Sequence, residues 1–466
     1  PAPIPMTNAD DLLHQFSPIR VYGKVHRIVG LVVEASVARS SIGSMCEIVP
    51  LQGEEPVPAE IVGYSDHRAL LMPLGELRGL GPGSRVRVRK QQATISVGEA
   101  MLGRVLDGMA RPLDQGPPLY LPDEIGLYSL PLGPMRREAI SQPLDLGVRA
   151  INALLTCGIG QRMGIMAGSG VGKSVLLGMM ARYAKADINV IALIGERGRE
   201  VKEFIERDLG PAGLQHSVIV AVTSDQSPLL RMRGAFVATA IAEYFSQKGK
   251  NVLLMMDSVT RFAMAMREIG LSIGEPPTTK GYTPSVFATL PKLLERAGNF
   301  QDQGSITGLY TVLVDGDDLT EPVADSVRSI LDGHIVLSRS IAAKNHYPAI
   351  DVLLSTSRVM RDITTPRHRE LAGKARSVMA VYRENEDLIN IGAYAAGSSK
   401  KIDYAISRID AINDFLTQGF DESASMEATM VALGDLVSDR QGADRRRGGR
   451  TGHDRRRTDA PTGEGG

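Results

Sequence analysis

Cysteine is almost absent from this 466-residue chain: Cys46 and Cys157 are the only two, far apart and without ligand spacing. A disulfide framework and a cysteine-built metal site are therefore unsupported, and a reducing compartment fits. No apolar run approaches the ~20 residues of a membrane span. The opening Pro-Ala-Pro-Ile-Pro-Met-Thr-Asn-Ala-Asp-Asp has no signal-peptide core, so the expectation is a cytosolic protein. Excess charge of one sign is missing too, since 53 basic residues balance 53 acidic ones, and that balance gives no support to a nucleic-acid scaffold. Aromatics are sparse at 5%. The alternating Arg85-Val-Arg-Val-Arg-Lys90 segment would need stacking rings to hold single strands, and only Tyr22 and Tyr64 are available beside it. It reads as a strand with valines inward and a solvated arginine face. What remains, 43% hydrophobic and 23% charged residues, is ordinary for a globular protein of two or three domains.

Residues 167 to 174 read Ala-Gly-Ser-Gly-Val-Gly-Lys-Ser, after an apolar stretch (Arg162 to Met166) and at the head of a helix-like run, Lys173 to Ala184. That is the context of a phosphate-binding loop. Gly168, Gly170 and Gly172 let backbone N–H groups turn toward one point, where the helix dipole adds positive potential. Ser169, Val171 and Val175 complete the cradle around Lys173, which reaches the outer phosphates, and Ser174, whose hydroxyl suits Mg²⁺. The pattern asks for glycine at 167; alanine is acceptable there if φ is negative.

Pattern divides the chain into segments: 1–19 at the N-terminus, a β-barrel over 20–95, a turn-rich connector over 96–129, an α/β region over 130–359, a helical region over 360–438 and an Arg-rich tail over 439–466. In the barrel, short β-rich runs such as Val25 to Val33 and Arg85 to Val88 are punctuated by glycine. In the α/β region, β-rich runs at Ile188 to Ile194, Ser217 to Val222, Asn251 to Met256, Ile306 to Val314 and His334 to Leu337 alternate with helical ones. This predicts a mainly parallel sheet with helices on both faces and ligands at its carboxyl edge. Two strands end there in acids. Asp257 suits Mg²⁺, directly or through water, although it could instead cap the next helix. Ser258 follows it, so a water-orienting carboxylate must come from elsewhere, and Glu196 in Gly195-Glu-Arg-Gly-Arg-Glu200 is the candidate. Arg197 is expected to orient Glu196 or to offset its charge. Residues 267 to 298, rich in Gly and Pro, read as one long loop. Ile402, Ile406, Ile409, Ile412 and Leu416 form a core stripe at helical spacing, and the arginines from Arg445 to Arg457 lack apolar periodicity and read as disordered.

Together with Met255-Met-Asp-Ser-Val-Thr-Arg261 and the stretches 317 to 339 and 346 to 358, these motifs resemble the secretion branch of the rotary ATPase superfamily over roughly residues 20 to 435. Flagellum-specific export ATPases are the members the chain most resembles. The resemblance implies a RecA-like P-loop domain between the barrel and the helical domain, Mg-ATP hydrolysis, and a homo-oligomeric, hexameric ring with ATP between neighbours. It gives Glu196 the activation of water, Arg358 the role of a trans-acting arginine and Tyr347 that of an adenine-stacking ring. Taken alone, those two residues could equally be a structural ion-pairing arginine and a half-buried tyrosine.

Further implications are partners: a stator-like regulator, a central stalk, an export gate and chaperone–substrate complexes, at the cytoplasmic face of the inner membrane. The 267 to 298 stretch would face the ring opening and couple to a stalk or substrate. Only Asp10-Asp-Leu-Leu-His-Gln-Phe16 offers an amphipathic candidate for the regulator contact. A virulence-type secretion ATPase is the nearest alternative, followed by an ATP synthase catalytic subunit and an RNA translocase.

Overall fold

The computed structural model describes residues 21–52, 55–314, 316 and 318–437. The Asp10–Phe16 candidate and the arginine-rich tail lie outside them. Six strands close an N-terminal barrel in the order Gly23–Val29, Val32–Ser36, Arg68–Pro73, Val57–Ser65, Met45–Val49 and Arg85–Lys90. Alternation fills its interior with Val25, Val33, Ala35, Cys46, Ile48, Ile61, Leu71 and Val86. The Val25 to Val33 run is two strands rather than one: Gly30 takes φ +55° and turns the chain into an antiparallel hairpin. Both cysteines are buried and unpaired with one another. The arginine stripe is neutralised locally, Arg87 and Arg89 on Glu47 at 2.7 and 2.6 Å and Lys90 on Glu124.

The central sheet runs Thr356–Ser357, Gly333–Leu337, Arg162–Ala167, Ser305–Leu313, Val252–Asp257, Ile188–Glu196, Ser217–Thr223 and Val105–Leu106, with Gly298–Asn299 attached to Ser305–Leu313. All pairings along this path are parallel except the first, which is antiparallel. Val105–Leu106 belongs to the connector, so that segment supplies an edge strand as well as turns. Its strands are nearly all buried, and the helices Lys173–Tyr183, Pro228–Gln247 and Val259–Ser272 cover them.

The long loop expected over 267 to 298 is mostly helix. Val259–Ser272 continues to its natural end, and a second helix, Pro284–Leu294, starts with proline at its first turn, where no N–H is needed. That helix buries Val286, Leu290, Leu293 and Leu294, which overrides the Pro and Gly punctuation and leaves 273–283, with one 3-10 turn at Thr279–Gly281, and 295–297 as the connecting segments. C-terminally, Pro366–Asn390, Lys400–Leu416 and Met426–Val437 pack together. Ile409, Ile412 and Leu416 are buried, while Ile402 and Ile406 are half-buried. Among the described residues no helix is long and apolar enough to cross a membrane.

A buried ion pair joins the barrel to the helix Pro228–Gln247: Glu60 accepts from Arg233 at 3.1 Å and from the Tyr128 hydroxyl at 3.0 Å. Removing one partner strands a charge. Arg233→Leu should lower stability by about 3–5 kcal/mol, and adding Glu60→Gln should recover a substantial part, because the amide oxygen still accepts from Tyr128. Thermal unfolding of both variants checks this; a double variant as unstable as the sum of its parts would contradict it.

Candidate functional site

Three strands deliver the polar groups to one place. Arg162–Ala167 leads into the glycine loop, and Ala167 is not among the residues with positive φ, so its Cβ is accommodated. Gly170 and Gly172 take φ +79° and +85°, left-handed values that side chains disfavour, and Gly172 opens the helix Lys173–Tyr183. Gly168, Ser169 and Val171 lie between the strand and the helix, with Val171 buried and Val175 half-buried on the first helical turn.

Lys173 is the centre of the site. Its Nζ donates to Asp257 Oδ1 at 2.5 Å and stands 3.7 Å from Glu196 Oε1. Burial works against the ammonium, but the charges of Asp257 and Glu196 outweigh it and hold its pKa above the ordinary value. Asp257 ends its strand at 3% exposure, and Thr311 on the adjacent strand donates to the same Oδ1 at 2.7 Å. The following helix is capped by Ser258, whose Oγ accepts from the Arg261 N–H at 3.3 Å, so Asp257 does not serve as the cap.

Glu196 closes the Ile188–Glu196 strand, and its buried Oε1 has no hydrogen-bond partner. Burial raises its carboxyl pKa to about 7 against the opposing pull of Lys173, with Asp257 adding to the rise. Arg197 does not reach it. As the residue preceding the helix Gly198–Glu203, Arg197 points its side chain, 81% exposed, outward to Glu200 at 3.2 Å. The cations facing Glu196 are instead Lys173 and Arg261, and Arg261 packs where a Gly195 Cβ would stand, at 2.9 Å. The sequence reading quoted Arg261 without giving it a role, because nothing in its spacing shows that it faces the acid.

Tyr347 is 39% exposed, and its ring edge lies 3.4 Å from where a Cβ on Gly172 would stand. It lines an apolar cavity of about 300 Å³ with Gly172, Val175, Leu176, Met179, Gln418 and Phe420. Gln418 and Phe420 come from the helical domain and carry no sequence signal; Arg182 stacks over Phe420 at 4.0 Å. Arg358 is elsewhere. The antiparallel Thr356–Ser357 strand places Ser357 opposite Gly333, at the start of the Gly333–Leu337 strand, and the Arg358 N–H donates to Asp332 O at 2.9 Å. Leu337, at the other end, pairs with Ala167. Arg358 thus sits on the edge of the sheet opposite the glycine loop, exposed, bonded by its side chain only to Arg328 O at 3.2 Å.

Among the described residues no cluster of three His, Cys, Asp or Glu side chains could cage a metal alone. The oxygen donors at hand, the exposed Ser174 hydroxyl and the Asp257 carboxylate, fit a hard cation that brings further oxygens with its ligand. An unpartnered carboxylate oxygen beside them fits a bound water. The same buried acid has a cost in the ligand-free protein. Its pKa rises on folding from 4.5 to about 7, so its contribution to stability is full below the lower value and is lost as pH rises through the upper one. Glu196→Gln should therefore melt above the wild type at about pH 8, with the gap closing near pH 5. Paired melts test this, and a pH-independent gap would contradict it.

The chain is similar to known proteins over most of its length. Residues 147–357 match the ATP synthase alpha/beta family nucleotide-binding domain, 25–88 its beta-barrel domain, and 364–435 the T3SS EscN ATPase C-terminal domain. The chain is 51% identical over 435 residues to the flagellum-specific ATP synthase of Bacillus subtilis (strain 168), covering 92% of this chain and 98% of that one. It is also 51% identical to a type 3 secretion system ATPase of Xanthomonas euvesicatoria, covering 90% and 95%. Among solved structures, the assembled ATPase EscN of the enteropathogenic E. coli type III secretion system superposes with a TM-score of 0.84 at 47% identity, over 89% of this chain and 100% of that one. EscN in complex with its central stalk EscO gives 0.83 at 46%, over the same shares. The chain belongs to the flagellum-specific and type III secretion ATPases of the ATP synthase alpha/beta family.

Proposed function

We propose that this protein is the ATPase of a flagellar export apparatus, hydrolysing Mg-ATP at the subunit interfaces of a hexameric ring to promote unloading and secretion of export substrates. One observation carries the shared-site reading: Lys173, Asp257 and Glu196 converge at the carboxyl edge of the sheet, while Arg358 lies on the opposite edge of the same subunit. An arginine so placed can serve only a neighbour's nucleotide. In this reading the backbone of 168–172 holds the phosphates, and Lys173 turns from Asp257 to the outer ones. Tyr347 stacks on the base, with Val175 lining the same slot. Mg²⁺ held by Ser174 and Asp257 would neutralise charge on the phosphate oxygens. Glu196 Oε1 accepts a hydrogen bond from the attacking water. The water's oxygen bonds to the γ-phosphorus as the bond from that phosphorus to the β–γ bridging oxygen breaks and ADP leaves, the water's proton passes to Glu196 or to the phosphate formed, and the neighbour's Arg358 stabilises the charge in flight. Arg197, turned outward, is left a role in holding Glu200.

The names of the relatives support the flagellar reading, and the Xanthomonas protein keeps an injection-type secretion system as the second. EscN bound to EscO supports a central stalk partner. We extend the reading to a stator-like regulator, an export gate and chaperone–substrate complexes, with the ring docked on the cytoplasmic face of the membrane. Neutralisation of the Arg87 and Arg89 stripe by Glu47 argues against a specific nucleic-acid partner.

Glu196→Gln and Arg358→Ala should each lower kcat by about 10³-fold or more. Mixed together, they should recover hydrolysis well above either alone, because some interfaces then carry both intact groups; no recovery at any ratio would contradict shared sites. Specific activity of the wild type should also rise with protein concentration, as dilution dissociates the ring. A rate per subunit independent of dilution below the assembly range would count against it.

A further inference from the structure

Gln161 precedes the strand that carries the phosphate loop, is 0% exposed, and takes no part in the site described above. Its Oε1 accepts the Gly158 N–H at 2.8 Å, which fixes the amide orientation and turns Nε2 toward two oxygen acceptors, Asp332 O and Ser357 Oγ, each at 3.1 Å, with the weaker acceptor Met163 Sδ at the same distance. Asp332 O is the atom that also accepts the Arg358 N–H, and Ser357 is the residue before Arg358. The Ser357 hydroxyl in turn donates a hydrogen bond to Thr156 O at 2.8 Å. The next residue, Arg162, grips the Asp332 carboxylate through Nε and Nη2 at 3.0 and 3.1 Å. Room to slip is absent, because a Cβ on Gly333 would stand 2.5 Å from Thr356 O. The backbone leading into Arg358 is therefore pinned, through one buried amide, to the beginning of the Arg162–Ala167 strand. The far end of that strand is the phosphate loop.

We propose that Gln161 is a positioning residue for Arg358. Through it, the strand holding a subunit's own nucleotide also sets the aim of the arginine that the subunit lends to its neighbour. This rests on the trans role of Arg358. An amide is required, since the position needs one acceptor and two donor directions at once, which neither a carboxylate nor an apolar side chain supplies. A finger acts on charge present only in the transition state, so its misplacement should lower kcat and leave ATP binding alone. A displacement of order 1 Å costs about 10²-fold.

Gln161→Leu should accordingly lose about 10²-fold in kcat with KM for ATP unchanged. Mixed with Glu196→Gln subunits it should regain hydrolysis, because its cradle and acid are intact and the Glu196→Gln partner supplies a well-aimed Arg358. Mixed with Arg358→Ala subunits it should regain nothing. A rise in KM at unchanged kcat would overturn the inference. So would failure to recover with Glu196→Gln under conditions where Arg358→Ala does recover, since the damage would then lie in the subunit's own cradle, and the shared-site reading would stand. If Arg358→Ala and Glu196→Gln fail to complement each other, the finger reading falls and takes this one with it. Should Gln161→Leu not fold, Ser357→Ala removes one of the two grips and is judged by the same criteria, with an expected loss of about tenfold.

Discussion

The contact between Lys173 and Asp257 is the one on which the rest depends. A cation and an anion taken out of water at the ends of neighbouring strands are tolerable only when each is the other's partner and Thr311 completes the shell. Glu196, drawn to the same cation but too far for a hydrogen bond, keeps an oxygen unpartnered and a carboxyl half inclined to hold its proton. Lys173 shared between two acids, with Arg261 facing Glu196 from the side, is an arrangement suited to something more strongly anionic and to a cation that comes with it. Under the proposed function a triphosphate with its metal would supply both, freeing Lys173 and ionising Glu196. The site is thus held ready at some expense to the stability of the empty protein.

The scaffold keeps that point rigid. Parallel strands buried on both faces leave their carboxyl ends fixed in register, and the helices behind them are short-linked and densely packed. The Glu60–Arg233–Tyr128 triad locks the barrel to the same body, so a load applied to the barrel reaches the sheet without a loose joint. Gln418 and Phe420 bring the helical domain to the cavity beside Tyr347 and Gly172, so a shift of that domain would reshape the cavity. Under the proposed function the sheet has two working edges, one for the subunit's own nucleotide and one for its neighbour's.

Much of this was legible because it is local. Glycine spacing over Ala167–Ser174 dictates a phosphate loop, and the β-rich runs ending at Glu196 and Asp257 mark the carboxyl edge where those acids meet Lys173. What escaped reading is set by packing. The Val25 to Val33 run is broken by a single left-handed glycine that periodicity does not weigh, and Pro284 looks like a loop residue until Leu290 and Leu294 are seen buried on the helix it opens. Arg197 adjoins the acid in sequence yet turns outward, whereas Arg261, much further along, turns toward it. Gln161 carries no motif at all, and its importance lies in three segments that meet only after folding.

The central claim is that one catalytic pocket is completed by two copies of the chain. A structure of the assembled ring with magnesium and a non-hydrolysable ATP analogue tests it most directly. The account predicts the γ-phosphate between Lys173 and Glu196 of one subunit, with the guanidinium of Arg358 of the adjoining subunit within hydrogen-bond distance. A bound triphosphate enclosed wholly by one subunit, with Arg358 of its neighbour turned to solvent, would contradict it.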